Sequence, residues 1–238
     1  MKRRNFLKQT ASTVGALAVL NDFSYGKNGK ASELTFYAMS DPHIGAIHND
    51  KEKTRSQKVA CINSLPGSKY PEQFGGIVDK PRGLIMAGDL INDGALDDKW
   101  PRQWANWVAD FGVNGEGRCN FPVFEGIGNH DVNHKGQPIY ARVKKRNMKR
   151  MDRGLIDHVS ENGYHYSWDW DCVHFVNVNL FPGNQWAGES DGYGSVHDPL
   201  YSRDFLENDL REHVGNTGRP VIVVQHYRPI DEGWWTYA

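Results

Sequence analysis

The amino-acid sequence predicts an α/β domain. Apolar runs short enough to be strands alternate with stretches of helical periodicity, in the order strand–helix–strand–helix–strand, before a hairpin and one more helix–strand pair. Four of those runs end in polar groups able to bind metal, and in open α/β sheets functional groups gather beyond the carboxyl ends of the strands. A stripe of aromatic residues at helical spacing offers the core that such a sheet packs against.

The elements follow in chain order. ELTFYAMSD (Glu33–Asp41) reads as a strand closing on an acid, and the segment from about Lys53 to Leu65 looks helical until Pro66-Gly67 stops it. KPRGLIMAGD carries a second apolar run, Gly83 to Ala87, ending in Gly88-Asp89. Trp100, Trp104, Trp107 and Phe111 recur at helical spacing and read as core rather than as a binding face. FPVFEGIGNHD is the third strand that ends in polar groups. The run ARVKKRNMKRMDR (Ala141–Arg153) holds seven Lys/Arg in thirteen residues. It reads either as a solvated helix face or as a border of the site that attracts an anionic substrate or a phospholipid headgroup. HYSWDWDCVHFVNVNL looks like a hairpin turning near Asp171, and the Gly-rich FPGNQWAGESDGYGSVHDP is a loop. A helix is expected over about Tyr201 to Val214, and then RPVIVVQHY is a β-branched strand ending in Gln225-His226.

Composition narrows the class. The 238 residues suit one domain or slightly more, and 39% hydrophobic with 12% aromatic residues argues against disorder. A net charge of −1 gives no general case for nucleic-acid binding. The start is a separate object. MKRRNFLKQT precedes the apolar ASTVGALAVL, a secretory pattern too short for a stable membrane span. Within it, RRNFLK (Arg3–Lys8) resembles the twin-arginine export signal of bacteria, implying the twin-arginine machinery as a partner and a periplasmic or secreted location. Residues 1–31 are therefore expected to be leader and 32–238 the functional domain. Residues 1–20 carry four Lys/Arg and no acid, so their removal takes the charge from −1 to −5. Three widely spaced cysteines, Cys61, Cys119 and Cys172, argue against a cysteine-rich zinc site and read best as small buried residues.

Four strand ends carry the chemistry: Asp41-x-His43, Gly88-Asp89, Gly128-Asn129-His130-Asp131 and His226. Carboxylate oxygen, imidazole nitrogen and amide oxygen together suit a borderline divalent metal such as Zn, Mn or Fe. Asp41 and His43 lie two apart, so an extended or turning backbone can aim both at one ion. Asp89 offers two oxygens and can bridge two ions. Two cations held close position a water, lower its pKa and neutralise charge on an attacked phosphate. The adjacent glycines let the backbone approach closely or take positive φ.

The ordered set D-x-H, G-D, G-N-H-D and a later strand-borne His resembles the calcineurin-like metallophosphoesterase superfamily over Asp41 to His226. The resemblance implies a sandwich of two mixed β-sheets flanked by helices, two divalent or trivalent metal ions (Mn, Fe or Zn), and hydrolysis of phosphomonoesters or phosphodiesters. Carried over by position, it implies Asp41 and His43 as ligands of a first metal and Asp89 as the bridge. Asn129 and His226 would be ligands of a second. His130 matches a non-ligand histidine that contacts phosphate and protonates the leaving oxygen, and Asp131 matches the acid that orients it. The family pattern normally closes with G-H-x-H, whereas only twelve residues follow His226 and none is histidine. A truncated product of a longer gene, incomplete at its C-terminus, is the expectation. His48, His134, His165, His174 and His197 are other histidines numerically available as donors. The absence of tyrosine after Gly88-Asp89 disfavours a purple-acid-phosphatase-type site. Trp186 to Tyr193 and Trp234-Trp235 could wall a pocket or pack missing strands. The rival reading is a catalytically impaired remnant acting as a binding or scaffold protein.

Overall fold

The computed structural model describes residues 17–20, 33–46, 52–94, 96, 98–132, 138–184 and 198–227. The remainder of the leader, His48, His134, His197, the Trp186–Tyr193 loop and Trp234-Trp235 lie outside them.

Two four-stranded sheets stack face to face. In the first, β1 (Leu17–Leu20), β2 (Leu34–Met39), β3 (Leu84–Met86) and β4 (Val123–Glu125) lie in that order. β2, β3 and β4 are parallel, and β1 pairs antiparallel on the edge, Leu17 opposite Tyr37. Part of the apolar run expected in the leader thus forms the edge strand of this sheet. In the second sheet, β5 (His158–Val159), β6 (Tyr166–Trp170), β7 (Val173–Asn177) and β8 (Val221–Val224) lie in order. β6 and β7 form the expected hairpin, turning at Asp171, whose φ is +53°, and β8 runs parallel to β7. Helices α1 (Glu52–Ser64), α2 (Trp100–Asp110) and α3 (Pro138–Asp152) follow β2, β3 and β4 in turn. α4 (Ser202–Asp209) precedes β8 and continues into a wider turn over Leu210–Val214. The expected α/β sandwich is therefore the fold found.

Strand period explains how the chain fills both faces of the first sheet. Leu84, Met86 and Val123 point into one core with Trp104, Trp107, Phe111, Ile139 and Val143 from the helices. Leu34, Phe36, Ile85 and Phe124 point the other way, onto Tyr166, Trp168, Trp170 and Phe175 of the second sheet. Aromatic rings fill that inter-sheet layer: Phe124 stacks on Trp168 with centroids 4.6 Å apart, and Phe175 stacks on Trp168 at 5.0 Å. The tryptophan stripe read as core is core. Cys119 is buried, as expected, but Cys61 is exposed and Cys172 half-buried, and all three are unpaired.

The basic run divides by helical face. Arg146 and Arg150 are buried and pair with Glu125, itself fully buried at the end of β4. Arg146 Nε donates to Glu125 Oε1 at 2.6 Å, and Arg150 Nε donates to the Val123 carbonyl at 2.8 Å. The two arginines hold the Glu125 carboxyl below its ordinary range against the opposing effect of burial. The other five basic residues, Arg142, Lys144, Lys145, Lys149 and Arg153, are exposed. Two of the seven cations therefore anchor the helix to β4, leaving the loop that bears Gly126–Asp131 on a rigid support.

Candidate metal centre

Because β2, β3 and β4 run parallel, the loops leaving them emerge on one edge of the sheet. They run alongside each other. The Asp41 amide donates to the Gly88 carbonyl at 3.1 Å, the His43 amide to the Asp89 carbonyl at 3.0 Å, and the Ile44 amide to the Leu90 carbonyl at 3.1 Å. This pairing holds Asp41, His43 and Asp89 in left-handed backbone, with φ of +57°, +43° and +52°. Non-glycine residues rarely take that conformation, and where it clusters it marks functional sites. Two glycines make the close approach feasible. A Cβ on Gly128 would lie 2.2 Å from Asp89 Oδ1, and one on Gly88 (φ +102°) would lie 2.7 Å from the Gly128 nitrogen.

The donors converge on Asp89, which is 3% exposed. Its Oδ2 lies 3.4 Å from His43 Nε2 and 3.5 Å from His226 Nε2. His43 Nε2 is 3.5 Å from Asp41 Oδ1, and His226 Nε2 is 3.1 Å from Asn129 Oδ1. Two ligands bound to one ion at about 2.1 Å with ordinary angles sit roughly 3.0–3.6 Å apart, and these separations are compatible with that spacing. By a looser span, two groups among the described residues have donor atoms all within 4.8 Å of one another: His43–Asp89–His130 and Asp41–Asp89–His226. Asp89 belongs to both. The sequence placed Asp41, His43, Asp89, Asn129 and His226 at one centre, and the structure brings all five together. It also brings the His130 ring edge-on to His43, with centroids 4.6 Å apart.

Backbone carbonyls select the tautomers. A carbonyl can only accept, so the His226 Nδ1–H donates to Ala87 at 2.9 Å and leaves Nε2 facing Asn129 and Asp89. In the same way the His130 Nδ1–H donates to the Asn92 carbonyl at 2.9 Å. The expected direct contact between Asp131 and the His130 ring is replaced by something else. The fully buried Asp131 carboxylate accepts three backbone amides: Ile91 at 2.9 Å, Leu90 at 3.1 Å and Gly128 at 2.8 Å. The close crossing at Gly128 puts those amides, and not the ring, within its reach. Asp131 thus staples the loop after β3 to the loop after β4, and Asn92, which carries no signal in the sequence, orients His130.

Charge within the centre is balanced by protons. Burial pushes the Asp41 carboxyl up, but hydrogen bonds from His43 and Ser40 and the nearby His226 hold it at about 2. Hydrogen bonding to Asp41 raises His43 against burial, and Asp89 supplies further attraction. Burial lowers His226, yet the hydrogen bond and charge of Asp89 bring it up to about 9. Burial and the Asp89 carboxylate push Asp131 upward, opposed by its three amide hydrogens. Carboxylates this crowded attract cations, and entering metal ions would displace those protons.

Neither His165 nor His174 reaches the centre. The His165 Nε2–H donates to the Leu200 carbonyl and Nδ1 accepts from Asn179, both at 2.9 Å. His174 lies between Asp169 at 2.7 Å and Asp209 at 2.6 Å.

Residues 34–237 match the family model described as calcineurin-like phosphoesterase, whose members generally use divalent metal ions on phosphate-ester substrates. No curated protein matches the chain. With that match running through every loop of the centre, the chain belongs to the calcineurin-like phosphoesterase family.

Proposed function

We propose that the chain hydrolyses phosphomonoesters or phosphodiesters at a dinuclear centre. Asp41, His43 and Asp89 would hold one cation, and Asp89, Asn129 and His226 the other. The observation that carries this is the position of Asp89: one nearly buried carboxylate within 3.5 Å of imidazoles borne by two different sheets. Cations held there would lower the pKa of a water and neutralise charge on the attacked phosphate.

The chain's own groups do the rest. The Asn92 carbonyl holds the His130 Nδ1–H, so the imidazolium form, with a second proton on Nε2, would hydrogen-bond a phosphate oxygen and deliver that Nε2 proton to the leaving oxygen, returning to the Nδ1–H tautomer. Asp131 keeps the backbones of Leu90, Ile91 and Gly128 in register, so Asp89 stays aligned with both imidazoles. The twin-arginine-like start supports export of the folded, metal-loaded protein to the periplasm.

The test titrates the metal-free full chain with Mn²⁺ and with Zn²⁺ by calorimetry. Release of nitrophenol from p-nitrophenyl phosphate and bis-p-nitrophenyl phosphate is then followed. Two ions per chain and metal-dependent hydrolysis of either ester, both lost in Asp89→Asn, are expected. Metal binding without hydrolysis of either ester, or less than one metal per chain, would overturn the hydrolase reading and favour the impaired remnant acting as a binding or scaffold protein.

A further inference from the structure

Asn179 lies two residues beyond β7, 4% exposed, with a left-handed φ of +62°. Every polar atom it has is engaged. Its side-chain oxygen accepts the Ile127 amide at 2.9 Å, and its backbone carbonyl accepts the His226 amide at 2.7 Å. Its side-chain nitrogen donates to the Tyr164 carbonyl at 3.0 Å and to His165 Nδ1 at 2.9 Å, and its own amide donates to Asn177 Oδ1 at 3.0 Å. Ile127 stands two residues before Asn129 in the loop leaving the first sheet. His226 stands two residues after β8 in the second. Asn179 is therefore one side chain and one peptide holding the His226 backbone and the backbone two residues before Asn129, and those two candidate ligands come from different sheets and meet at 3.1 Å. His165 braces it from behind through a hydrogen bond to the 198–201 segment.

We infer that Asn179 is a positioning residue that sets the separation of Asn129 and His226, and through it the affinity of the site formed by Asp89, Asn129 and His226. This rests on the reading of that cluster as a metal site. A buried asparagine serving only the fold would lower stability when changed and leave metal affinity alone. One that positions ligands must change affinity beyond what stability explains, because metal bonds tolerate only about 0.2 Å of misplacement. Loss of such supporting hydrogen bonds weakens metal binding by roughly 10–100-fold.

Asn179→Gly keeps the left-handed backbone and the carbonyl bond to His226 while deleting the bond to Ile127 and the two bonds donated to Tyr164 and His165. Asn179→Asp keeps an oxygen for Ile127 and loses the two donated bonds. Both are titrated with Mn²⁺ alone by calorimetry, as full chains, beside the parent and Gly154→Ala, a remote change that strains the backbone without touching the centre. The expected result for Asn179→Gly is one of two binding steps weakened at least tenfold, the other within threefold of the parent. Asn179→Asp should weaken the same step at least threefold. Gly154→Ala should leave both steps unchanged. If Asn179→Gly does not fold, Asn179→Asp decides alone. A weaker step within twofold of the parent in whichever variants fold, or an equal shift in Gly154→Ala, overturns the inference. Failure of the parent to bind Mn²⁺ would instead overturn the metal-site reading itself.

Discussion

Replacing Gly128 with alanine probes how closely two site loops cross. Gly128 has an extended backbone (φ −106°, ψ 179°), so alanine meets no torsional penalty, and its whole effect is steric. The added methyl would lie 2.2 Å from Asp89 Oδ1 and 2.3 Å from the Asp89 nitrogen. Contact between such atoms needs about 3.4 Å, so one loop must move by roughly 1 Å. Asp89 has little freedom to yield elsewhere. Its Oδ1 accepts the His130 amide at 2.8 Å and its carbonyl accepts the His43 amide at 3.0 Å. The displacement therefore carries Oδ2 away from His43 and His226. A shift of that size at reacting groups costs about 100-fold in turnover, and overpacking costs about 1–3 kcal/mol of stability. Gly154→Ala is the matched control. At φ +63° with nothing within 4 Å, it loses about 1–2 kcal/mol through backbone strain alone. Calorimetric Mn²⁺ titration, ester hydrolysis and urea unfolding are measured on both. Expected are comparable stability losses, with metal binding weakened at least tenfold only in Gly128→Ala. Gly128→Ala binding metal within threefold of the parent would refute the claim that Gly128 permits the Asp89 geometry.

Three further outcomes follow from the same contacts. His130→Ala should keep its metal content and lose about 10²–10⁴ in kcat, as expected of a proton donor; loss of metal in elemental analysis would make His130 a ligand instead. Glu125→Gln leaves the buried Arg146 and Arg150 without their counter-charge and should lower the unfolding free energy in urea by about 3–5 kcal/mol, whereas a loss below about 1 kcal/mol would contradict the anchoring role. Burial lowers His165 from 6.5 to about 4 in the folded chain. The unfolded chain thus takes up this proton first as pH falls. The contribution of a neutral His165 is complete above pH 6.5 and is lost progressively towards pH 4, by roughly 3 kcal/mol. Its imidazole signals in NMR should stay unshifted from pH 8 to 5, and titration near 6.5 would exclude the buried neutral form.

Much of the candidate site was legible because its signals are local. Asp41, His43, Asp89, Asn129 and His226 each follow an apolar run, and the parallel strands β2, β3 and β4 deliver the first four to one edge of the first sheet, while His226 leaves β8 of the second. The parts that were not legible depend on contacts between distant segments. Arg146 and Arg150 belong to a run that reads as solvated or substrate-attracting. They are buried because Glu125, more than twenty residues earlier, turns its carboxylate towards their face of α3. The partner of the His130 ring is a backbone carbonyl, a group every residue carries, so no residue type announces it.

The edge strands β1 and β5 were not announced by the sequence, which by itself determined the order of the strands that end in site residues, the hairpin, and which side chains stand at the strand exits. These follow from side-chain polarity and backbone period along a few consecutive residues. Only the tertiary structure decided that His226 meets Asn129 across 97 residues, that three site residues are held in left-handed backbone, and that Asp131 binds amides and not the neighbouring ring. The register between two stacked sheets is set by through-space packing, and a local pattern in one strand carries no record of the opposing one.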